Sequence, residues 1–153
     1  MSIEARLQRL EDIEEIKQLK AQYCAGCDDD HNADTIASLF VEDAVWDAPG
    51  IARAEGRLAI HKLMTNIRNR GIIRSSTHHV MNPIIEVDGD RATGCWRFLM
   101  MYTGDVGDGT TKRLQVLGWY REEYVRLQGR WYYQTLCATI EDNSPHALEG
   151  AGV

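Results

Sequence analysis

Tyr23-Cys24-Ala25-Gly26-Cys27-Asp28-Asp29-Asp30-His31 closes the longest helical pattern in the chain, and three consecutive carboxylates stop it. Upstream, Ile3, Leu7, Leu10, Ile13, Ile16, Leu19, Tyr23 and Cys27 recur at spacings of three and four, the apolar stripe of one long helix. Glu11, Glu14, Glu15, Gln18 and Gln22 fall mostly on its solvated side. A carboxylate at the buried end of such a helix is costly unless something pairs with it. The partner expected for it lies far downstream, at Thr77-His78-His79. The reading is that the helix delivers an aspartate, a strand delivers a histidine, and the two meet in an apolar pocket walled by the rest of the chain.

Working outward, Asp34 to Phe40 forms a short helix opened by Asn32 or Asp34 as N-cap. Ala44 to Gly50 reads as a strand closed by Pro49-Gly50, with Ile51 to Ala54 as its partner. Arg57 to Arg70 is a third helix, with Leu58, Ile60, His61, Met64 and Ile67 inward and Gly71 as its stop. The remainder is β: Ile73 to Val87, a turn at Asp88-Gly89-Asp90, Arg91 to Tyr102, a flexible connection over Gly104 to Gly109, Thr111 to Arg126, a turn at Gln128-Gly129, and Trp131 to Ile140. Helices first and then a meander of long antiparallel strands is an α+β layout, expected as one domain over 1–142 with a loose tail over 143–153. The strands carry apolar bulk on both faces, Trp131 and Tyr133 on one side of the last strand and Tyr132, Leu136 and Ile140 on the other. A sheet apolar on both faces must be covered on both, so a homo-oligomer, dimer or trimer, is expected.

The chain has 153 residues, 44% hydrophobic and 26% charged, with a net charge of −6 and no basic block. That charge balance argues against nucleic acid or an anionic membrane as partner. No apolar run approaches the length of a membrane span, and Met1 to Arg6 runs into a polar helix without the pattern of a signal peptide, so a cytoplasmic protein is expected. Cys24, Cys27, Cys95 and Cys137 are too few for a disulfide framework and are read as reduced. Cys24-x-x-Cys27 falls late in a helix, where small buried apolar residues are the simpler account than a redox pair.

Tyr23-x-x-x-x-Asp28, Ile36-Ala-Ser-Leu-Phe40-x-x-Asp43-Ala44-x-Trp46, Gly56, and Thr77-His78-His79-x-x-x-Pro83-x-Ile85-x-Val87-x-Gly89-Asp90-x-Ala92 together resemble the SnoaL-like branch of the nuclear transport factor 2-like superfamily. The resemblance spans the chain to about Asp142 and is more specific for fold than for reaction. It implies a cone-shaped α+β barrel, in which N-terminal helices close a curved, mostly antiparallel sheet around a pocket. Relatives include scytalone dehydratase, bile-acid 7α-dehydratase, hexachlorocyclohexane dehydrochlorinase, ketosteroid isomerase and the non-catalytic β subunits of ring-hydroxylating dioxygenases. The dehydratase and dehydrochlorinase members use an Asp–His dyad without a cofactor. Their histidine falls on His78. Their aspartate falls on Asp28 when counted from Tyr23 and on Asp29 when counted back from Leu39-Phe40. The acidic residue that the bile-acid enzyme carries on the next strand is Met100 here, so its substrate does not carry over.

Chemically, a neutral imidazole takes a proton at cellular pH, and a carboxylate on its other nitrogen fixes the tautomer and stabilises the imidazolium. His78 with Asp28 or Asp29 supplies that pair; otherwise His78 is a core histidine and the aspartates a solvated helix end. His79 points to the opposite face. His31 beside the aspartates is a weak metal signal, with no second histidine at ligand spacing, and no metal site is expected. Tyr23 is read as a hydrogen-bond donor to substrate, and Trp46, Trp96, Phe98, Met100 and Trp119 as pocket wall, although core packing alone accounts for any of them. Glu122 and Glu123 read as solvated strand charges. The expected function is a cofactor-independent lyase acting on a small cyclic hydrophobic molecule, with a ketosteroid-isomerase type isomerase or a non-catalytic binding or assembly domain as alternatives.

Overall fold

The computed structural model describes residues 1–105 and 109–142. The tail over 143–153 and the middle of the connection expected at Gly104 to Gly109 lie outside those residues. Helix α1 (Ile3–Asp28) opens at Ser2, whose side chain accepts from the Ala5 N–H at 3.2 Å. Its lower half carries the expected stripe inward, with Ile16, Leu19, Tyr23, Cys24 and Cys27 buried. The upper half differs: Ile3, Leu7 and Leu10 are exposed, while Asp12 and Lys20 are buried. Those two polar groups are inward because each finds an opposite charge on the sheet, which periodicity of apolar residues does not register.

Two residues with left-handed backbone, Asp30 (φ 52°) and His31 (φ 51°), reverse the chain into α2 (Ala33–Ser38). Asn32 is its N-cap and accepts from the Thr35 N–H at 3.1 Å. Gly26 permits this close return, since a β-carbon there would sit 2.9 Å from Cγ1 of Ile36. Helix α3 (Arg57–Arg70) ends at Gly71 in the left-handed conformation that glycine takes without penalty. Ile60 and Met64 are its buried positions. Leu58 is exposed, and the His61 ring is turned to Asp34 at 2.8 Å, so neither is an inner residue.

The strands are β1 (Phe40–Ala48), β2 (Ala52–Glu55), β3 (Ile73–Asp88), β4 (Arg91–Asp105), β5 (Thr111–Leu127) and β6 (Arg130–Asp142). They form one curved sheet in the order β2-β1-β6-β5-β4-β3, with β2 and β3 at its open edges. Every pairing is antiparallel except β1 with β6, which is parallel, so the sheet is mixed and the barrel unclosed. Gly118 sits at a register shift where β5 and β6 approach closely; a β-carbon there would fall against the Thr139 carbonyl and the Phe98 ring.

In β6 a bulge corrects the expected two-sided pattern. Tyr124 pairs with Tyr133 and Glu123 with Thr135, so Gln134 is the extra residue and the alternation inverts there. Trp131 and Tyr133 before the bulge, and Leu136 and Ala138 after it, are therefore all buried on the concave face.

That face also holds an ion pair. Lys20 Nζ lies 2.5 Å from Glu122 Oε1 with both side chains 0% exposed, and 3.2 Å from the centroid of the Tyr120 ring. The Tyr124 hydroxyl donates to the other Glu122 oxygen. Glu122 is thus a core residue and not a solvated charge: it shares the inward parity of Val116, Tyr120 and Tyr124 on β5. Nearby, Arg126 joins Asp12 (2.6 Å) and Asp90 (2.8 Å), and Asp12 also accepts from Trp131 Nε1, which fastens α1 to the β3–β4 turn and β6. Among the described residues, no helix is long and apolar enough to cross a membrane.

Candidate active site

The end of α1 meets the middle of β3. Because β3 is an edge strand, one row of its backbone N–H groups has no sheet partner, and Asp28 fills part of that vacancy. Its two oxygens accept from the His78 backbone N–H at 3.1 and 3.0 Å, and Oδ1 also accepts from Ser76 Oγ at 3.1 Å. The same Oδ1 lies 2.6 Å from Nδ1 of the His78 ring. Burial raises the Asp28 carboxyl, but the hydrogen bonds from the His78 ring and backbone, with that from Ser76, outweigh it and leave the group below its ordinary value. An ionised carboxylate only accepts, so His78 Nδ1 carries the proton and Nε2 of the neutral ring is the lone-pair nitrogen.

His78 is 6% exposed by side chain and lines a cavity of about 330 Å³. Asp28 stands behind the ring and does not line the cavity. Most of the wall is apolar, from Trp46 and Ala48 of β1, Met64 and Ile67 of α3, Phe98 and Met100 of β4, and Val116 of β5. Tyr23, Tyr102 and Tyr120 add phenols, and Arg70 at the end of α3 a guanidinium. Burial holds the Tyr23 hydroxyl far above its usual range, so it stays protonated, and its oxygen accepts from Trp46 Nε1 at 2.8 Å. Among the described residues no group of three or more His, Cys, Asp or Glu side chains is gathered to hold a metal ion.

Of the residues singled out from sequence, the structure brings together Asp28, His78, Tyr23, Trp46, Phe98 and Met100. It separates three others. Asp29 caps α1 on the exposed side and accepts from Asn32 Nδ2 at 2.7 Å, one residue of helical rotation away from the strand. Trp96 is buried with Nε1 donating to the Tyr124 hydroxyl, two residues along β4 from Phe98 and off the cavity. Trp119 has the outward parity of β5; its Nε1 donates to Glu141 and Arg97 stacks on its ring. His79 is exposed, as its alternation with His78 requires. Lining residues missed from sequence include His31, Tyr102, Tyr120 and Arg70, besides apolar ones such as Met64 and Val116. Tyr120 was legible from the parity of β5, whereas His31 depends on the chain reversal after α1.

No curated protein matches the sequence. Among solved structures, a type 2 LinA hexachlorocyclohexane dehydrochlorinase superposes with a TM-score of 0.83 at 24% identity, over 93% of both chains. A scytalone dehydratase-like protein from Novosphingobium aromaticivorans gives 0.78 at 22% identity, over 90% of this chain and 89% of that one. An NTF2-like protein from the same organism gives 0.72 at 26% identity, over 99% and 96%. The SnoaL-like domain profile matches residues 8–136. With that match running from α1 into β6, and the helix-capped open cone shared with these structures, the chain belongs to the SnoaL-like family of the NTF2-like superfamily.

Proposed function

We propose that this protein is a cofactor-independent lyase. His78 is its general base, Asp28 orients that base, and the substrate is a small, largely apolar cyclic molecule. The observation that carries the reading is the 2.6 Å contact between Asp28 Oδ1 and His78 Nδ1, with the ring on the wall of a mostly apolar cavity. His78 Nε2 takes a proton from a carbon of the substrate. The C–H pair becomes the new double bond, and the neighbouring carbon releases, with the pair of the broken bond, either halide or a hydroxyl oxygen that takes the proton back from the His78 imidazolium and leaves as water. No oxidation state of the protein changes, so acid–base chemistry alone balances the step. Asp28 holds the Nδ1–H tautomer and stabilises the imidazolium that forms. Tyr23, its phenol kept protonated, is a donor for a substrate oxygen. Support from outside the chain is the dehydrochlorinase and dehydratase naming of structural neighbours.

The test is a screen of cyclic β-hydroxy carbonyl and halogenated compounds for elimination, repeated with His78→Ala and Asp28→Asn. His78→Ala is expected to abolish turnover. Asp28→Asn is expected to lose about a hundredfold or more, since the analogous change in a serine-protease triad costs about 10⁴. Asp29→Asn is expected to behave as wild type. Undiminished elimination by a folded His78→Ala protein refutes the mechanism.

A further inference from the structure

The wall of the cavity has a charge opposite in sign to that of the chain. Asp and Glu outnumber Lys and Arg by 23 to 17. Yet among the described residues on the wall there is no Asp, Glu or Lys, and Arg70 brings a guanidinium that is charged at any physiological pH. Burial keeps the phenols of Tyr23 and Tyr120 protonated, and burial, then His78, hold the His31 imidazole below its usual range. Arg70 is the last residue of α3, and Gly71 at φ 63° turns the chain off the helix toward β3. Ile67, one turn earlier, and Ile72 and Ile73, just after, line the cavity beside it. Ile51 and Ile72 are exposed on the same wall, which marks this end as the mouth. The guanidinium therefore stands on an apolar rim. Arg68, two residues earlier, is held by Asp30 at 2.9 Å, whereas Arg70 has no acidic partner among the described residues.

We propose that Arg70 is a substrate-binding residue that takes the carboxylate of a cyclic carboxylic acid, with the ring in the cavity toward His78 and the carboxylate at the rim. The inference rests on the reading of this cavity as the substrate site and narrows its substrate to an apolar ring carrying one negative charge. A guanidinium beside apolar side chains is less screened than one in open water, and its planar fork matches a carboxylate. A doubly charged phosphate suits the rim less well. There α3 presents its C-terminal carbonyl end, which carries partial negative charge, and no second lysine or arginine lines the described wall. The carboxylate is an anchor: no bond to it forms or breaks during elimination. An ester of the same ring keeps the apolar contacts and loses the charged pair, so the site separates an acid from its ester.

The experiment compares 2-naphthoate with its methyl ester on the full chain. Affinities are measured by calorimetry at neutral pH, at low and high salt, for wild type, Arg70→Gln, Arg70→Lys and Arg68→Gln. Wild type is expected to prefer the acid. That preference is expected to fall about three- to tenfold in Arg70→Gln, the range of one charge-assisted pair at a partly solvated site. Arg70→Lys keeps the charge without the fork and is expected to recover part of it. Arg68→Gln removes an equal charge from the same helix and is expected to keep the full preference. High salt is expected to weaken the acid in wild type and leave the ester as it was. An unchanged preference in Arg70→Gln, an equal loss in Arg68→Gln, or no binding of either probe overturns the proposal. So does a fall in the Tm of Arg70→Gln with an unaltered acid-to-ester ratio, the mark of an arginine that only stabilises a helix end. His78→Ala separates the two readings. Elimination that survives in it sinks the dyad and leaves the Arg70 preference standing; elimination abolished in it, with no acid preference in wild type, sinks the Arg70 proposal alone.

Discussion

Replacing Lys20 by methionine is the sharpest test of how the floor of the cone is held. Lys20 and Glu122 are both 0% exposed and 2.5 Å apart, and the ammonium also lies 3.2 Å from the face of Tyr120, a cavity residue. Methionine replaces most of the aliphatic stem, so packing changes little. What changes is that the Glu122 carboxylate keeps only the Tyr124 hydroxyl as partner. Breaking a fully buried pair from one side costs about 3–5 kcal/mol, against about 0–1 kcal/mol for an exposed pair. For a chain of this size that is a fall in Tm of roughly 6–20 °C. Glu122→Gln, which strands the ammonium instead, is expected to cost a similar amount. The double variant Lys20→Met/Glu122→Gln leaves no charge behind and should recover most of the loss, within about 1–2 kcal/mol of wild type. Urea unfolding at pH 7, followed by circular dichroism, measures all three. Single variants that each lose less than about 1 kcal/mol would refute the claim that this is a fully desolvated pair.

Three further outcomes are expected. Acid should weaken the fold through two groups of the site. Asp28 is lowered in the folded chain, so its contribution is present above about pH 3.9 and lost as pH falls through its lower folded value; His31 is also lowered, so protons favour the unfolded chain below about pH 6.5. Urea midpoints from pH 3 to 7 should therefore be flatter at the acid end in Asp28→Asn and flatter below pH 6.5 in His31→Asn, and curves parallel to wild type would contradict both assignments. Burial pushes the Cys24 thiol up to about 11 and Cys27 to about 12, so iodoacetamide at pH 7.5 should spare both in the native protein and label the half-buried Cys95 and Cys137 first. Met81, Ile84 and Met101 leave apolar surface on the outer side of β3 and β4, and light scattering is expected to give a mass above that of one chain; a mass of 17.4 kDa would count against the oligomer.

Local chemistry fixed much of the fold before any tertiary contact. Arg57–Arg70 ends where Gly71 offers a left-handed residue, Asn32 caps the short helix, and the β3–β4 turn falls at Asp88-Gly89-Asp90, because each of these depends on neighbours within a few residues. Alternation likewise separated His78 from His79 on the histidine strand. Even the pairing of a helix-end aspartate with His78 was legible, although on the resemblance as much as on the residues. What the sequence left open was decided by geometry across distance. Asp28 and Asp29 differ by one residue of helical rotation, and only the position of the β3 edge says which one meets an imidazole. Glu122 and Glu123 are the same residue type side by side; the phase of β5 against Lys20, more than a hundred positions away, buries one and exposes the other. The Gln134 bulge inverts β6 through its pairing with β5, not through its own composition. His31 reaches the cavity because two left-handed residues turn the chain after α1, and the apolar wall it joins is assembled from α3, β1, β4 and β5. Periodicity records which way a side chain points from its own element, and the site depends on what stands opposite.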